Sequence, residues 1–134
     1  MKILVVENSS VICTRLRALL TQGGNYEALG CAECVSSALK LLDTCQPDAV
    51  LLDLHLNDGD GFRLLGLIRE REPRLPVVML SLNQGWQYQI AASARGADAF
   101  LCKSSQFEDI VPTLDRLLQA HGGAPALPRG ACAR

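Results

Sequence analysis

No apolar run in this 134-residue chain approaches the roughly 20 residues that cross a bilayer, so no membrane span is expected. Charge of one sign is missing as well: 13 Lys and Arg against 14 Asp and Glu leave a net charge of −1, which gives nucleic acid or an acidic membrane no basic field to bind. Glycine is absent from the turn after the first apolar run, Glu7-Asn8-Ser9-Ser10, which excludes a P-loop and a dinucleotide fingerprint. There are two histidines, His55 and His121, far apart in sequence, and no second pair joins Cys31-Ala32-Glu33-Cys34. A zinc site therefore lacks its ligands. Met1-Lys2 leads into a strand-like run without the features of a secretory signal, and the expected location is cytoplasmic.

The six cysteines (13, 31, 34, 45, 102 and 132) mostly sit inside apolar or helical patterns, where free Cys behaves as a small buried hydrophobe. The expectation is therefore free thiols rather than a disulfide framework. A redox role for the Cys31–Cys34 pair is the alternative.

What the chain does have is alternation. Short apolar runs at Lys2–Val6, Tyr26–Ala32, Ala49–Asp53, Pro76–Leu82 and Ala99–Cys102 read as strands. Between and after them lie helical patterns, the first led by Ser9 and Ser10 and the others near 35–44, 62–71, 86–95 and 106–120. Pro112 falls inside the last of these, early enough to be tolerated or to kink it slightly. Five strands alternating with five helices predict an α/β fold, a doubly wound five-stranded parallel sheet covered on both faces. Residues 1–121 form one domain, and the Gly-, Pro- and Ala-rich segment 122–134 reads as a flexible tail or truncated linker.

Right-handed crossovers place all strand carboxyl ends on one edge, where open sheets of this kind bind ligands. Four strands end there on polar residues: Glu7 and Asn8, Asp53, Ser81, and Lys103. Any one of them alone is commonly a solvated strand end; the conjunction carries the weight. Carboxylates, a hydroxyl and a lysine on one rim suit phosphoryl transfer. Asp53 can act as a carboxylate nucleophile, while Ser81 and Lys103 contact phosphoryl oxygens. Glu7, Asn8, Asp53 and a backbone carbonyl after Asp53 offer oxygen ligands for Mg²⁺.

These residues resemble a family. Ile3-Leu4-Val5-Val6-Glu7, Pro47-Asp48-Ala49-Val50-Leu51-Leu52-Asp53-Leu54 with Gly61 eight residues past the Asp, Leu75–Ser81, and Ala94–Lys103 are together similar to a response-regulator receiver domain of two-component signalling. The resemblance covers about residues 2–120. It implies a flavodoxin-like sheet of strand order 2-1-3-4-5 and phosphoryl transfer to Asp53 from a sensor histidine kinase, a phosphotransfer protein or a small phosphodonor. It implies Mg²⁺ held by Glu7, Asn8, Asp53 and the His55 carbonyl, phosphoryl contacts from Ser81 and Lys103, and a switch made of Ser81 and Phe100. His55 and Asn83 take the positions that tune dephosphorylation. A downstream protein would bind the face formed by the fourth helix, fifth strand and fifth helix, with Trp86 and Tyr88 close by. The domain would phosphorylate and dephosphorylate itself without being a turnover enzyme; homodimerisation is left open.

Three departures stand out. Asn8 replaces the second acid usual after the first strand, which removes one charge and predicts weakened Mg²⁺ binding. Asn57 stands where proline is common, and Ser104 where a cis-proline often follows the lysine. The Lys-Ser-Ser ending is similar to LuxR-type receivers, so the chain is a stand-alone receiver or the front end of a longer protein. Asn8 also motivates the alternative of a phosphorylation-independent pseudo-receiver acting as a protein interaction module. A flavoprotein on the same scaffold is the remaining class.

Overall fold

The computed structural model is described over residues 1–56, 59–82 and 86–121. Strands β1 (Lys2–Val6), β2 (Glu27–Ala32), β3 (Ala49–Asp53), β4 (Val77–Ser81) and β5 (Ala99–Cys102) alternate with helices α1 (Ser10–Gln22), α2 (Val35–Cys45), α3 (Gly61–Arg71), α4 (Trp86–Ala94) and α5 (Ile110–His121). The five strands form one sheet in the order β2-β1-β3-β4-β5, every neighbouring pair parallel. This is the doubly wound parallel sheet that the alternation predicts, in the strand order that the family resemblance implies. Segment 122–134, Asn57 and Asn83 lie outside the described residues.

Strand period two divides the sheet's side chains between two cores. Ile3, Val5, Ala49, Leu51, Val78 and Leu80 face Leu16 and Leu20 of α1 and Ile110 and Leu114 of α5. Leu4, Val6, Val50, Leu52, Val77 and Met79 face Ala38 and Leu42 of α2, Leu64, Leu65 and Ile68 of α3, and Ala92 of α4. Strands β3 and β4 are buried at every position, which is why they read as unbroken apolar runs.

Local chemistry sets the helix ends. The Ser9 hydroxyl accepts from the Ile12 amide at 3.4 Å and caps α1. Asp60 caps α3 by accepting from the Arg63 amide at 2.9 Å. A 3-10 turn, Phe107–Asp109, precedes α5, so Pro112 falls in the helix's first turn, where its missing N–H is not needed.

The structure departs from the sequence pattern at three places. Tyr26 precedes β2 rather than opening it, and its buried hydroxyl donates to Asp115 of α5. Burial first, then the Asp115 carboxylate, raises the phenol above its ordinary pKa. The loop after Asp53 contains a short antiparallel ladder pairing His55–Leu56 with Gly59–Asp60. The third departure is a correction. Cys13 of α1 and Cys31 of β2 are disulfide-bonded, with Cα atoms 6.4 Å apart. A slip in strand register, described below, brings them together.

Candidate functional site

Register alone makes the rim residues neighbours. Val6 pairs with Leu52, so Glu7 follows β1 beside Asp53. Asp53 pairs with Leu80, and Ser81 with Cys102, so Ser81 and Lys103 are adjacent across the next gap. The Lys103 amide donates to the Ser81 carbonyl at 2.8 Å, and the Glu7 amide to the Ala32 carbonyl at 2.8 Å.

The side chains then close the site. Lys103 Nζ lies 2.7 Å from Glu7 Oε2 and 2.9 Å from Asp53 Oδ1, bridging the two carboxylates. All three groups are buried, at 1% exposure for Glu7, 2% for Asp53 and 6% for Lys103, and Ser81 is completely buried. Charges so deeply placed persist when they are paired. The His55 amide donates to Asp53 Oδ1 at 3.2 Å, and the Ser9 amide to Glu7 Oε1 at 3.1 Å. Burial raises Glu7 above the ordinary carboxylate range, with the neighbouring Asp53 charge adding to the rise and Lys103 opposing it.

The donor set fits a hard cation at its lower limit. Mg²⁺ is typically held by one or two carboxylates and completes its shell with water and phosphate oxygens. Glu7 and Asp53 supply two carboxylates. Glu7 Oε2 is buried with no aligned hydrogen-bond donor, its charge met instead by direct ion contact with Lys103. Such an oxygen is suited to a cation. Among the described residues no group of three or more His, Cys, Asp or Glu side chains assembles for a metal. Asn8 itself is exposed at the loop tip.

The remaining expected residues are placed less centrally. The side chain of His55 is exposed; its backbone amide is what reaches Asp53. Phe100 is half-buried on the α4 side of the sheet and lines, with Gln89, Ser93 and Asp98, a cleft of about 180 Å³. On α4 and the segment leading to it, Leu82, Trp86 and Ile90 are 67%, 66% and 59% exposed, and Tyr88 is also on the surface.

Two supporting residues owe their roles to contacts that only the structure shows. Gly61, whose amide donates to the Leu54 carbonyl at 2.6 Å, packs against the end of the strand that carries Asp53. A Cβ there would run into the Asp53 carbonyl oxygen and come within 3.0 Å of Leu54 Cα and Met79 Cε. The sequence signal was present, in the fixed spacing from Asp53, but its reason is this close approach. Gln106 holds the end of β5 by accepting the Cys102 amide at 3.0 Å on its side-chain oxygen. Nothing in the sequence singles it out.

Comparison with known proteins agrees with this geometry. The response regulator receiver domain family matches residues 3–115. The virulence transcriptional regulatory protein PhoP of Salmonella typhimurium is 29% identical over 123 residues, which cover 92% of this chain and 54% of the relative. The transcriptional regulatory protein PhoP of Escherichia coli is 27% identical over the same length. This chain thus spans about half the length of these curated relatives. Among solved structures, a LuxR-family two-component response regulator from Aurantimonas shares the fold at a TM-score of 0.84 and 23% identity, covering 89% of this chain and 85% of that one. The response regulator domain of Thermotoga maritima CheB gives a TM-score of 0.77 at 25% identity, covering 93% and 98%. The chain belongs to the response regulator receiver domain family.

Proposed function

We propose that this receiver accepts a phosphoryl group on Asp53 and uses it to change the surface formed by α4, β5 and α5. The observation that carries the proposal is the buried meeting of Asp53, Lys103 and Ser81 at the carboxyl end of the sheet. An Asp53 carboxylate oxygen attacks phosphorus. An O–P bond forms as the donor's P–N bond (phosphohistidine) or P–O bond (acyl phosphate) breaks, and the leaving group departs with the electron pair. Lys103 and the Ser81 hydroxyl bind the phosphoryl oxygens where charge develops. Mg²⁺, held by Glu7 and Asp53 with the Asn8 amide and the His55 carbonyl as further oxygens, would neutralise phosphoryl charge when bound. One carboxylate fewer weakens that binding.

The phosphodonor is a sensor histidine kinase or a phosphotransfer protein in the cytoplasm, and the domain carries out no multiple-turnover chemistry on an external substrate. The readout is rotation of Phe100 into the adjoining cleft, coupled to Ser81 moving toward phosphate. The exposed Trp86, Tyr88 and Ile90 would meet a downstream protein or a second copy of the chain. Incubation with acetyl phosphate and Mg²⁺ should add one phosphoryl group by intact-mass measurement, and Asp53→Ala should abolish the gain. An unmodified wild type under saturating phosphodonor would leave the phosphorylation-independent interaction module as the better account.

A further inference from the structure

The β1–β2 pairing slips by one residue. Leu4 pairs with Leu29 but Val6 with Ala32, so two positions of β1 span three of β2. The extra residue lies at Gly30-Cys31, and Gly30 takes φ +52°, a left-handed conformation suited to glycine. A one-residue bulge inverts side-chain direction beyond it. Ala28 therefore faces the α1 side of the sheet and so does Cys31, three positions on, where an unbroken strand would have turned Cys31 toward α2. Ala32 takes the α2 side. The bulge delivers Cys31 to Cys13, on the second turn of α1.

Both cysteines belong to segments that hold the acidic loop. Cys31 Sγ lies 3.9 Å from the Glu7 carbonyl oxygen, and the next residue, Ala32, accepts the Glu7 amide. The Cys13 amide donates to the Ser9 carbonyl at 2.9 Å, and the Ser9 amide in turn holds the Glu7 carboxylate. A bond between the two sulfurs therefore closes a ring of contacts around Glu7, Asn8 and Ser9. Cys13 is buried and Cys31 half-buried, so Cys31 is the sulfur that an outside reagent meets first.

We propose that Cys13 and Cys31 are a reversible oxidation site, closed by a hydroperoxide and opened by a dithiol, that sets how firmly the Glu7–Ser9 loop is held for a divalent cation. The Cys31 thiolate attacks the peroxide oxygen, an S–O bond forms as the O–O bond breaks, and the leaving oxygen takes a proton as water or alcohol. Cys13 sulfur then attacks the sulfenic sulfur, forming the S–S bond and releasing water. Each sulfur loses one electron and the peroxide is reduced by two. A dithiol reverses the link by two exchange steps and carries the disulfide away. Disulfides in reducing compartments are characteristically of this switching kind. The site's identity as a cation site rests on the receiver reading, but the thiol chemistry does not.

The test uses the full chain. After complete reduction, one equivalent of hydrogen peroxide should produce a disulfide that differential alkylation and peptide mapping assign to Cys13 and Cys31, and dithiothreitol should reverse it. Mg²⁺ titration followed by amide resonances of residues 7–9 should show binding about threefold or more tighter in the oxidised chain, a modest effect beside the 10–100-fold typical of groups that orient metal ligands directly. Cys13→Ser and Cys31→Ser should each abolish the redox difference, while Cys34→Ser should retain it. Peroxide giving some other pairing, or equal Mg²⁺ affinity in the two redox states, overturns the proposal. Failure of Asp53 to take up phosphate in either state would instead count against the receiver reading, since the disulfide and the titration are read without phosphodonor.

Discussion

The rim of the sheet and the face of α4 break the usual partition of residues in opposite directions. At the rim, two carboxylates and an ammonium are buried. On α4, large apolar side chains stand in water, and Ala92 is the helix's buried residue. Folding alone favours neither arrangement. The rim is over-determined: four strands, a bridging lysine and close backbone packing hold it. Helix α4 rests on the sheet through little more than a small residue. One region is held by many buried contacts and the other by few, the contrast that the proposed switch would use.

Breaking the rim should have the largest effect. Lys103→Met leaves two buried carboxylates facing each other and should destabilise the fold by about 3 kcal/mol in urea titration. Adding Glu7→Gln should recover part of the loss, because one of the opposed charges is then gone; strict additivity in this cycle would show that the lysine does not bridge them. The second effect tests the close packing behind Asp53. Gly61→Ala pushes a methyl group against that residue's carbonyl and should lower stability by about 1–3 kcal/mol, with the amide resonances of Asp53 and Leu54 displaced most. An unaltered rim spectrum would mean the loop yields freely.

On α4 the same kind of change should barely register. Trp86→Ala and Ile90→Ser should each alter stability by no more than about 0.5 kcal/mol. Trp86, the single tryptophan, also reports the state of that face. Beryllofluoride with Mg²⁺ should shift its emission in the wild type and leave it unchanged in Asp53→Ala. A large loss of stability in either surface variant would show that α4 is fixed by its apolar residues, and the contrast with the rim would fail.

Much of this was legible in the chain itself. Apolar runs of four or five residues ending on Glu7, Asp53 and Ser81, or just before Lys103, fixed both the strands and the rim, because a strand buried on both faces tolerates polarity only at its ends. The Cys13–Cys31 link was not legible. Its spacing of 18 residues has no periodic meaning, and the Gly30 bulge that aligns the sulfurs is a property of strand pairing. Gly30 inside a strand pattern was a cue to a bulge, though not to its consequence. Gln106 gave no cue, since its partner is a backbone amide that any residue but proline would present at position 102.

The sequence by itself determined the alternation of elements, the doubly wound sheet and the set of residues at its carboxyl edge, because these depend on period and order along the chain. Only the tertiary structure decided that Lys103 spans Glu7 and Asp53, that Gly61 leaves no room beside the Asp53 carbonyl, and that α4 turns its apolar side chains outward. Those are matters of ångströms between segments far apart in sequence, set by strand register and packing rather than by the pattern of any one segment.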